Sequence, residues 1–161
     1  MENLRLEAVK RGIASERLIF ASRIQSNEDH LARLRLADLF LDTFYYNAHT
    51  TACDALWVGL PVLTCPGKNF ASRVAGSLLS AVGLPELIAH SPAEYEALAL
   101  RLACNPAWLA SVKQKLTQHR RTFPLFDTKR FTRHIEAAYQ TMWERYQRGE
   151  PPRSFAVDPI T

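Results

Sequence analysis

Apolar positions along the chain follow two spacings. Short continuous apolar runs at Arg17–Ala21, Asp38–Asp42 and Pro61–Thr64 read as strands covered on both faces, and Leu87–Ala89 reads as a possible fourth. Between them the apolar residues fall at helical spacing. Helices are predicted from Glu2 to Gly12, after Ser26 with Leu31, Leu34 and Leu36 aboard, from His49 to Trp57, and from Phe70 to Val82. Ser26 reads as an N-cap with Asp29 three residues on, and Gly12 as a helix stop. From Pro92 onward the pattern is helical only. Ser91-Pro92-Ala93-Glu94 reads as a capped start, and that helix runs to about Cys104. A second spans Pro106 to about Arg121. A third starts near Asp127 or Thr128 and stops at Gly149. Pro151-Pro152 ends helical propagation, so the tail is expected to lie along the surface or to be disordered.

Strands alternating with helices of about ten residues predict βαβ units and a parallel sheet. The expected fold class is α/β: an incomplete parallel sheet of about four strands, with helices on both faces and a helical C-terminus. A Rossmann-like domain has five or six strands. The abrupt helical start therefore suggests that earlier βα units lie upstream.

Composition changes this picture little. The chain has 161 residues, 47% of them hydrophobic and 22% charged, enough for one good core. No apolar run approaches the roughly 18–20 residues of a membrane span, and the N-terminus lacks a signal-peptide order. Cys53, Cys65 and Cys104 are far apart, which argues against a zinc site or a disulfide framework and fits a reducing cytosol. The net charge of +4 is scattered. Even its densest cluster, His119-Arg120-Arg121, reads as a solvated helix face rather than a nucleic-acid surface. The charge does suit an anionic small molecule.

Candidate chemistry concentrates where a strand hands over to a helix. In an open parallel sheet, ligands bind beyond the carboxyl ends of the strands. This places the loops Ser22–Asp29, Thr43–Thr51 and Cys65–Ser72 together. The sharpest segment is Asn47-Ala48-His49-Thr50-Thr51-Ala52-Cys53-Asp54. A helix start exposes amides and carries partial positive charge, so it suits a phosphate. His49, Thr50 and Thr51 add an imidazole and two hydroxyls there. The competing reading is an ordinary N-cap built by Thr50 or Thr51. Asp54 reads either as an acceptor for ribose hydroxyls or as a first-turn acid favoured by the helix dipole. His30 and Arg33 share a helix face and suit a nucleobase, or else form an exposed polar face. Pro66-Gly67-Lys68 enters a helix but has no Walker A spacing; Lys68 or the amides around it would meet phosphate, and Arg73 would pair with a carboxylate. Packing is the favoured reading of Phe44-Tyr45-Tyr46. His90, His119 and His134 have no partners at metal spacing.

Taken together, Asp42-Thr43, Asn47 to Thr51, Asp54, Leu56-Trp57, Gly59, Pro61, Pro66-Gly67 and Ala71 to Ala75 resemble the O-linked N-acetylglucosamine transferases, glycosyltransferase family 41, with its SPINDLY-type members. The resemblance continues through Glu86 to Ala89, Glu94-Tyr95, Pro124 to Lys129 and Tyr139 to Glu144, and so covers about Arg17 to Trp143. It implies a GT-B architecture of two Rossmann-like halves, usually preceded by tetratricopeptide repeats, of which this chain is most of the C-terminal, nucleotide-binding half. The implied domains are a partial UDP-sugar-binding domain over 1–126, a helix over 127–150 packing back toward the N-terminal half, and a tail over 151–161. By the same resemblance His49, Thr50 and Thr51 contact the UDP diphosphate, Asp54 the ribose, and His30 and Arg33 the uracil. UDP-N-acetylglucosamine is then the donor, and a protein Ser or Thr the acceptor. No cofactor and no metal is expected, nor any nucleic acid or membrane partner. The general base and a lysine that neutralises the leaving phosphate are implied to lie upstream, so no catalytic residue is assigned here. Ala48 stands where the animal enzymes have Gly, and Asn27 where they have Lys. A non-catalytic nucleotide-binding or protein-interaction module, or a transferase of another sugar, would present the same residues.

Overall fold

The computed structural model describes residues 2–159; Met1 and the last two positions of the expected tail lie outside the described residues. The chain divides into two compact units, one up to His30 and one from Leu31 onward.

In the first unit, α1 spans Glu2–Lys10, with Glu7 paired to Lys10 and Arg11 one turn on. Gly12, at φ 72°, turns the chain out of the helix. The Arg5 guanidinium lies 5.3 Å from the centre of the Phe20 ring. The strand expected at Arg17–Ala21 is not formed. Ser15–Arg17 is a 3-10 turn and the following residues join no ladder. Ile19 is 87% exposed, so the apolar run is not the buried strand its composition suggests. A strand needs a neighbouring strand to accept its amides, and among the described residues this run pairs with none; the Arg17 and Leu18 amides bond within the local turn.

Helix α2, Asn27–Leu34, begins as expected at Ser26, whose Oγ accepts from the Asp29 amide at 3.3 Å. Leu36 falls beyond the helix end and is exposed. The second unit holds a two-stranded parallel sheet, β1 (Phe40–Leu41) and β2 (Val62–Leu63), in the register Phe40 to Val62 and Leu41 to Leu63. The expected fourth strand is reduced to one parallel bridge between Thr64 and Ile88. The 3-10 turn Pro85–Leu87 precedes that residue and the cap Ser91 follows closely, leaving too little extended chain for a ladder. The fold is thus a mostly helical α/β arrangement around a smaller parallel sheet than expected.

Helix α3, Thr50–Val58, connects the two strands and ends at Gly59, which has φ 89°. After β2, a 3-10 turn at Phe70–Ser72 leads into α4, Val74–Ala81, so the single helix expected over Phe70–Val82 is broken near Arg73. Helices α5 (Pro92–Cys104), α6 (Pro106–Thr122) and α7 (Thr128–Gln147) follow. Ser91 caps α5 as the sequence indicates, accepting from the Glu94 amide, and Asp127 caps α7 at the expected start, accepting from the Arg130 amide. Asn105 caps α6 through the Trp108 amide.

One core joins α3, β2, α4, α5 and α6. Leu56 from α3, Val62 from β2, Leu79 from α4, Leu102 from α5 and Leu116 from α6 are all fully buried in it. At its edge, Gly83 turns the chain with φ 71°, and a methyl group there would lie 2.3 Å from the Phe123 ring. Gly83→Ala combines an unfavourable backbone with that overlap. It is expected to lower stability by about 1–3 kcal/mol, read as an earlier urea midpoint.

The tail does not simply trail away. Arg145, 7% exposed near the end of α7, donates to Glu150 Oε2 at 3.1 Å and lies 6.0 Å from the Phe155 ring centre. Its outer neighbours Tyr139, Met142, Trp143 and Tyr146 remain exposed.

Candidate functional site

The site is built at the carboxyl end of β1. The strand is held by the Phe40 amide donating to Pro61 O and the Asp42 amide donating to Leu63 O. The chain then makes a loop, residues 43–49, and enters α3. Along this path Asp42, Thr43, Tyr46, Asn47, Ala48, His49, Thr50 and Thr51 line an open cavity of about 430 Å³.

The start of α3 is not the Thr-capped helix that one reading of the His-Thr-Thr segment expects. Its N-cap is His49, which makes no side-chain capping bond, and Thr50 and Thr51 lie inside the helix rather than at the cap position. The first intrahelical donors are Ala52 and Cys53, both bonding to His49 O at 3.1 Å. The earlier amides are those a helix start leaves to an external acceptor. Both threonines are exposed and His49 is half-buried. The helix thus opens on the cavity without a capping side chain of its own.

His49 is fixed from three sides. Its Nε2 lies 3.3 Å from Ala71 O, an acceptor that places a proton on that nitrogen. Its ring stacks on Tyr46, with centroids 4.8 Å apart, and meets the edge of Phe70 at 6.0 Å. Ala71 O also accepts from the Asn47 amide at 2.8 Å, so one carbonyl holds both Asn47 and His49 at the end of the loop. Inside the loop, Asn47 Nδ2 donates to Thr43 O at 2.7 Å, while its buried Oδ1 has no hydrogen-bond partner.

The aromatic run divides its roles. Phe44 packs edge-on against Tyr95 at 5.0 Å, as packing predicts, whereas Tyr45 is exposed and Tyr46 walls the cavity. Tyr95 OH donates to Asp42 O at 2.9 Å. Burial pushes the Tyr95 phenol up to about 12, with the Asp42 and then the Cys65 charge adding to the shift. A phenol harder to ionise folded than unfolded keeps its proton longest in the native state. Its contribution to stability is therefore complete below about pH 10 and is lost as pH rises toward 12. Tyr95→Phe should flatten that alkaline loss in thermal melts taken between pH 9 and 12.

The other sequence candidates are placed differently. Asp54 sits one turn into α3, outside the cavity lining. His30 and Arg33 both ride on α2, and neither lines the cavity. Lys68 is exposed in the loop before α4, away from the lining, and Arg73 borders separate shallow depressions along α4. The Cys53 thiol is pushed up by burial and by the Asp54 charge, the opposite of an activated nucleophile. His119 is structural: its Nδ1 meets Val82 O at 3.0 Å and its ring stacks on Phe123. Among the described residues no group of three or more His, Cys, Asp or Glu side chains could hold a metal ion, and no helix is long and apolar enough to cross a membrane. The sequence reading took Asp42 only as the end of a strand and Tyr46 only as packing, and both lie just ahead of the segment 47–54 it singled out.

Comparison with known proteins gives this geometry a context. The chain is 41% identical over 160 residues to the UDP-N-acetylglucosamine–peptide N-acetylglucosaminyltransferase of Caenorhabditis elegans, covering 99% of this chain and 13% of that protein. It is 40% identical to the probable enzyme of the same name, SEC, of Arabidopsis thaliana, covering 95% of this chain and 16% of the relative. The chain therefore spans about 13% to 16% of the length of these relatives. The solved structure of a mutant O-GlcNAc transferase from Thermobaculum terrenum superposes with a TM-score of 0.81 at 37% identity, over 88% of this chain and 27% of that one. The family model for Glycosyl transferase family 41 matches residues 1–135, and the chain belongs to that family.

Proposed function

We propose that this chain is the donor-binding part of a protein O-GlcNAc transferase, with UDP-N-acetylglucosamine held at the turn into α3. The observation that carries the reading is the start of α3, which opens without a side-chain cap on a cavity of about 430 Å³ lined by His49, Thr50 and Thr51. A diphosphate is an acceptor group of the size and charge that such a helix start favours. Membership of a family whose relatives are named for transfer from UDP-N-acetylglucosamine supports the choice of ligand. In this reading Asp54 takes the ribose hydroxyls, and His30 and Arg33 the uracil.

The chemistry is an inverting transfer. A Ser or Thr hydroxyl of an acceptor protein attacks the anomeric carbon, the bond from that carbon to the UDP oxygen breaks, and negative charge grows on the departing phosphate. Amides at the start of α3, the Thr50 and Thr51 hydroxyls and His49 stabilise that charge without moving. The attacking hydroxyl loses its proton to a base outside this chain, in the other half of a GT-B pair. Residues 1–126 form the partial Rossmann-like donor domain. Residues 127–150 pack the exposed face of α7, with Tyr139, Met142 and Trp143, back toward that other half, and 151–161 are the tail.

Calorimetric titration with UDP tests the reading. Saturable binding that disappears in the His49→Ala, Asp54→Ala double variant supports it. No heat at millimolar UDP with a folded protein contradicts it, and a panel of sugar nucleotides in transfer assays then separates N-acetylglucosamine from other donor sugars.

A further inference from the structure

We propose that Asp42 is a positioning residue: its buried carboxylate braces the loop that aims the start of α3 into the cavity. The proposal rests on the donor-site reading of that turn. Asp42 is the last residue before the loop and is only 5% exposed. Its Oδ1 accepts from two amides at opposite ends of the loop, Thr43 at 2.9 Å and Ala48 at 2.7 Å. Its Oδ2 accepts from Thr64 Oγ1 at 2.6 Å, just past the end of the neighbouring strand. The Asp42 backbone is also engaged on both sides, its amide donating to Leu63 O and its carbonyl accepting from Tyr95 OH. One side chain thus closes residues 43–48 into a ring and ties that ring to the sheet.

A carboxylate beside a diphosphate site is at first sight misplaced, since the charges repel. The three donors resolve this. They occupy its oxygens from within the protein, so the group acts as a brace and not as a ligand. All three are neutral, two amides and one hydroxyl, and they offset the cost of keeping the charge out of water. If the brace is cut, the Thr43 and Ala48 amides lose their acceptor and the loop loses its tie to Thr64, leaving the bond from Asn47 Nδ2 to Thr43 O as a weaker closure of the ring. His49 follows Ala48 directly, so its place in the cavity depends on that closure. Ligand affinity then falls in proportion to the fraction of molecules still holding the aimed conformation.

The acceptor pattern makes asparagine an informative replacement. Its amide oxygen keeps the Thr43 and Ala48 bonds, and its NH₂ donates to Thr64 Oγ1, whose hydroxyl can accept as well as donate. The experiment compares the intact wild-type protein with Asp42→Ala, Asp42→Asn and Thr64→Val by hydrogen exchange without ligand and by UDP calorimetry. In Asp42→Ala we expect exchange of the 43–49 amides to rise at least about tenfold while α4 and α6 keep their protection, and UDP to bind roughly tenfold to a hundredfold more weakly. Asp42→Asn should stay near wild type in both. Thr64→Val should loosen the loop to a lesser degree, and it decides the matter if Asp42→Ala does not fold.

Unchanged protection of 43–49 in the variants that remove a bond would overturn the proposal. So would unchanged UDP affinity on a loosened loop, or an Asn variant as weak as the Ala variant. If the wild-type protein itself ignores UDP, the donor-site reading falls and the ligand half of this proposal with it. The exchange arm still decides whether Asp42 holds the turn.

Discussion

Alanine at His49 lowers kcat/KM for sugar transfer by about a hundredfold to a thousandfold in the intact enzyme, the loss expected when one preorganised group facing a developing oxyanion is removed. Two effects combine in this substitution. The imidazole is the ring presented to the cavity directly at the helix start. It is also wedged between Tyr46 and Phe70 and tied to Ala71 O, so its loss frees the wall on one side of the site. The effect should fall mainly on kcat if His49 acts on the departing phosphate, and mainly on KM if it only holds the ground-state diphosphate. Steady-state kinetics with UDP-N-acetylglucosamine and a protein acceptor read this directly. Melting within a few degrees of wild type would show that the fold survives, and an unchanged kcat/KM would remove His49 from the donor site.

The largest effect on stability belongs to the same helix, about two turns further on. Leu56→Ala empties a fully buried position among Leu60, Val62, Leu79 and Leu116. The expected loss is about 2–5 kcal/mol, from the transfer of the deleted groups and the cavity left behind. That is a large share of the roughly 5–15 kcal/mol that holds a typical domain together. Chemical denaturation should show an earlier midpoint with an unchanged slope. The two substitutions lie seven residues apart on one element and should separate cleanly: His49→Ala costs function at little cost in stability, whereas Leu56→Ala costs stability while the surviving folded fraction still binds UDP. Helix α3 can hold the proposed site at its first turn because Ala52, Ala55 and Leu56 anchor it in the core.

How much of this was legible in the sequence depends on how local each interaction is. Caps were legible because a capping side chain reaches only three residues: Ser91 to Glu94 and Ser26 to Asp29 stand as read, and Asp127, read only as a helix start, caps through Arg130. The candidate site was legible because the strand-to-helix handover at residues 40–50 is short and its apolar pattern changes abruptly. Strands were less so. Arg17–Ala21 has the composition of a buried strand, but composition does not supply a neighbour, and Ile19 faces solvent. Leu87–Ala89 had room for one bridge only, because a turn and a cap crowd it. The brace at Asp42 lay beyond sequence reasoning for another reason. Its partners are at separations of 1, 6 and 22 residues, a set without any period. Even at Phe44-Tyr45-Tyr46, three adjacent rings meet Tyr95, solvent and His49 in turn, which no pattern of alternation within the run would have separated.

The family is established by the match over residues 1–135, and the shared architecture by the superposition on the Thermobaculum terrenum enzyme. What those likenesses leave to experiment is the anion itself. A crystal structure of the intact protein soaked with UDP tests this most directly. The account predicts a phosphate oxygen within hydrogen-bonding distance of the Thr50 and Thr51 amides, with the His49 ring alongside. Well-ordered UDP at another position, with the mouth of α3 holding only solvent, would contradict it.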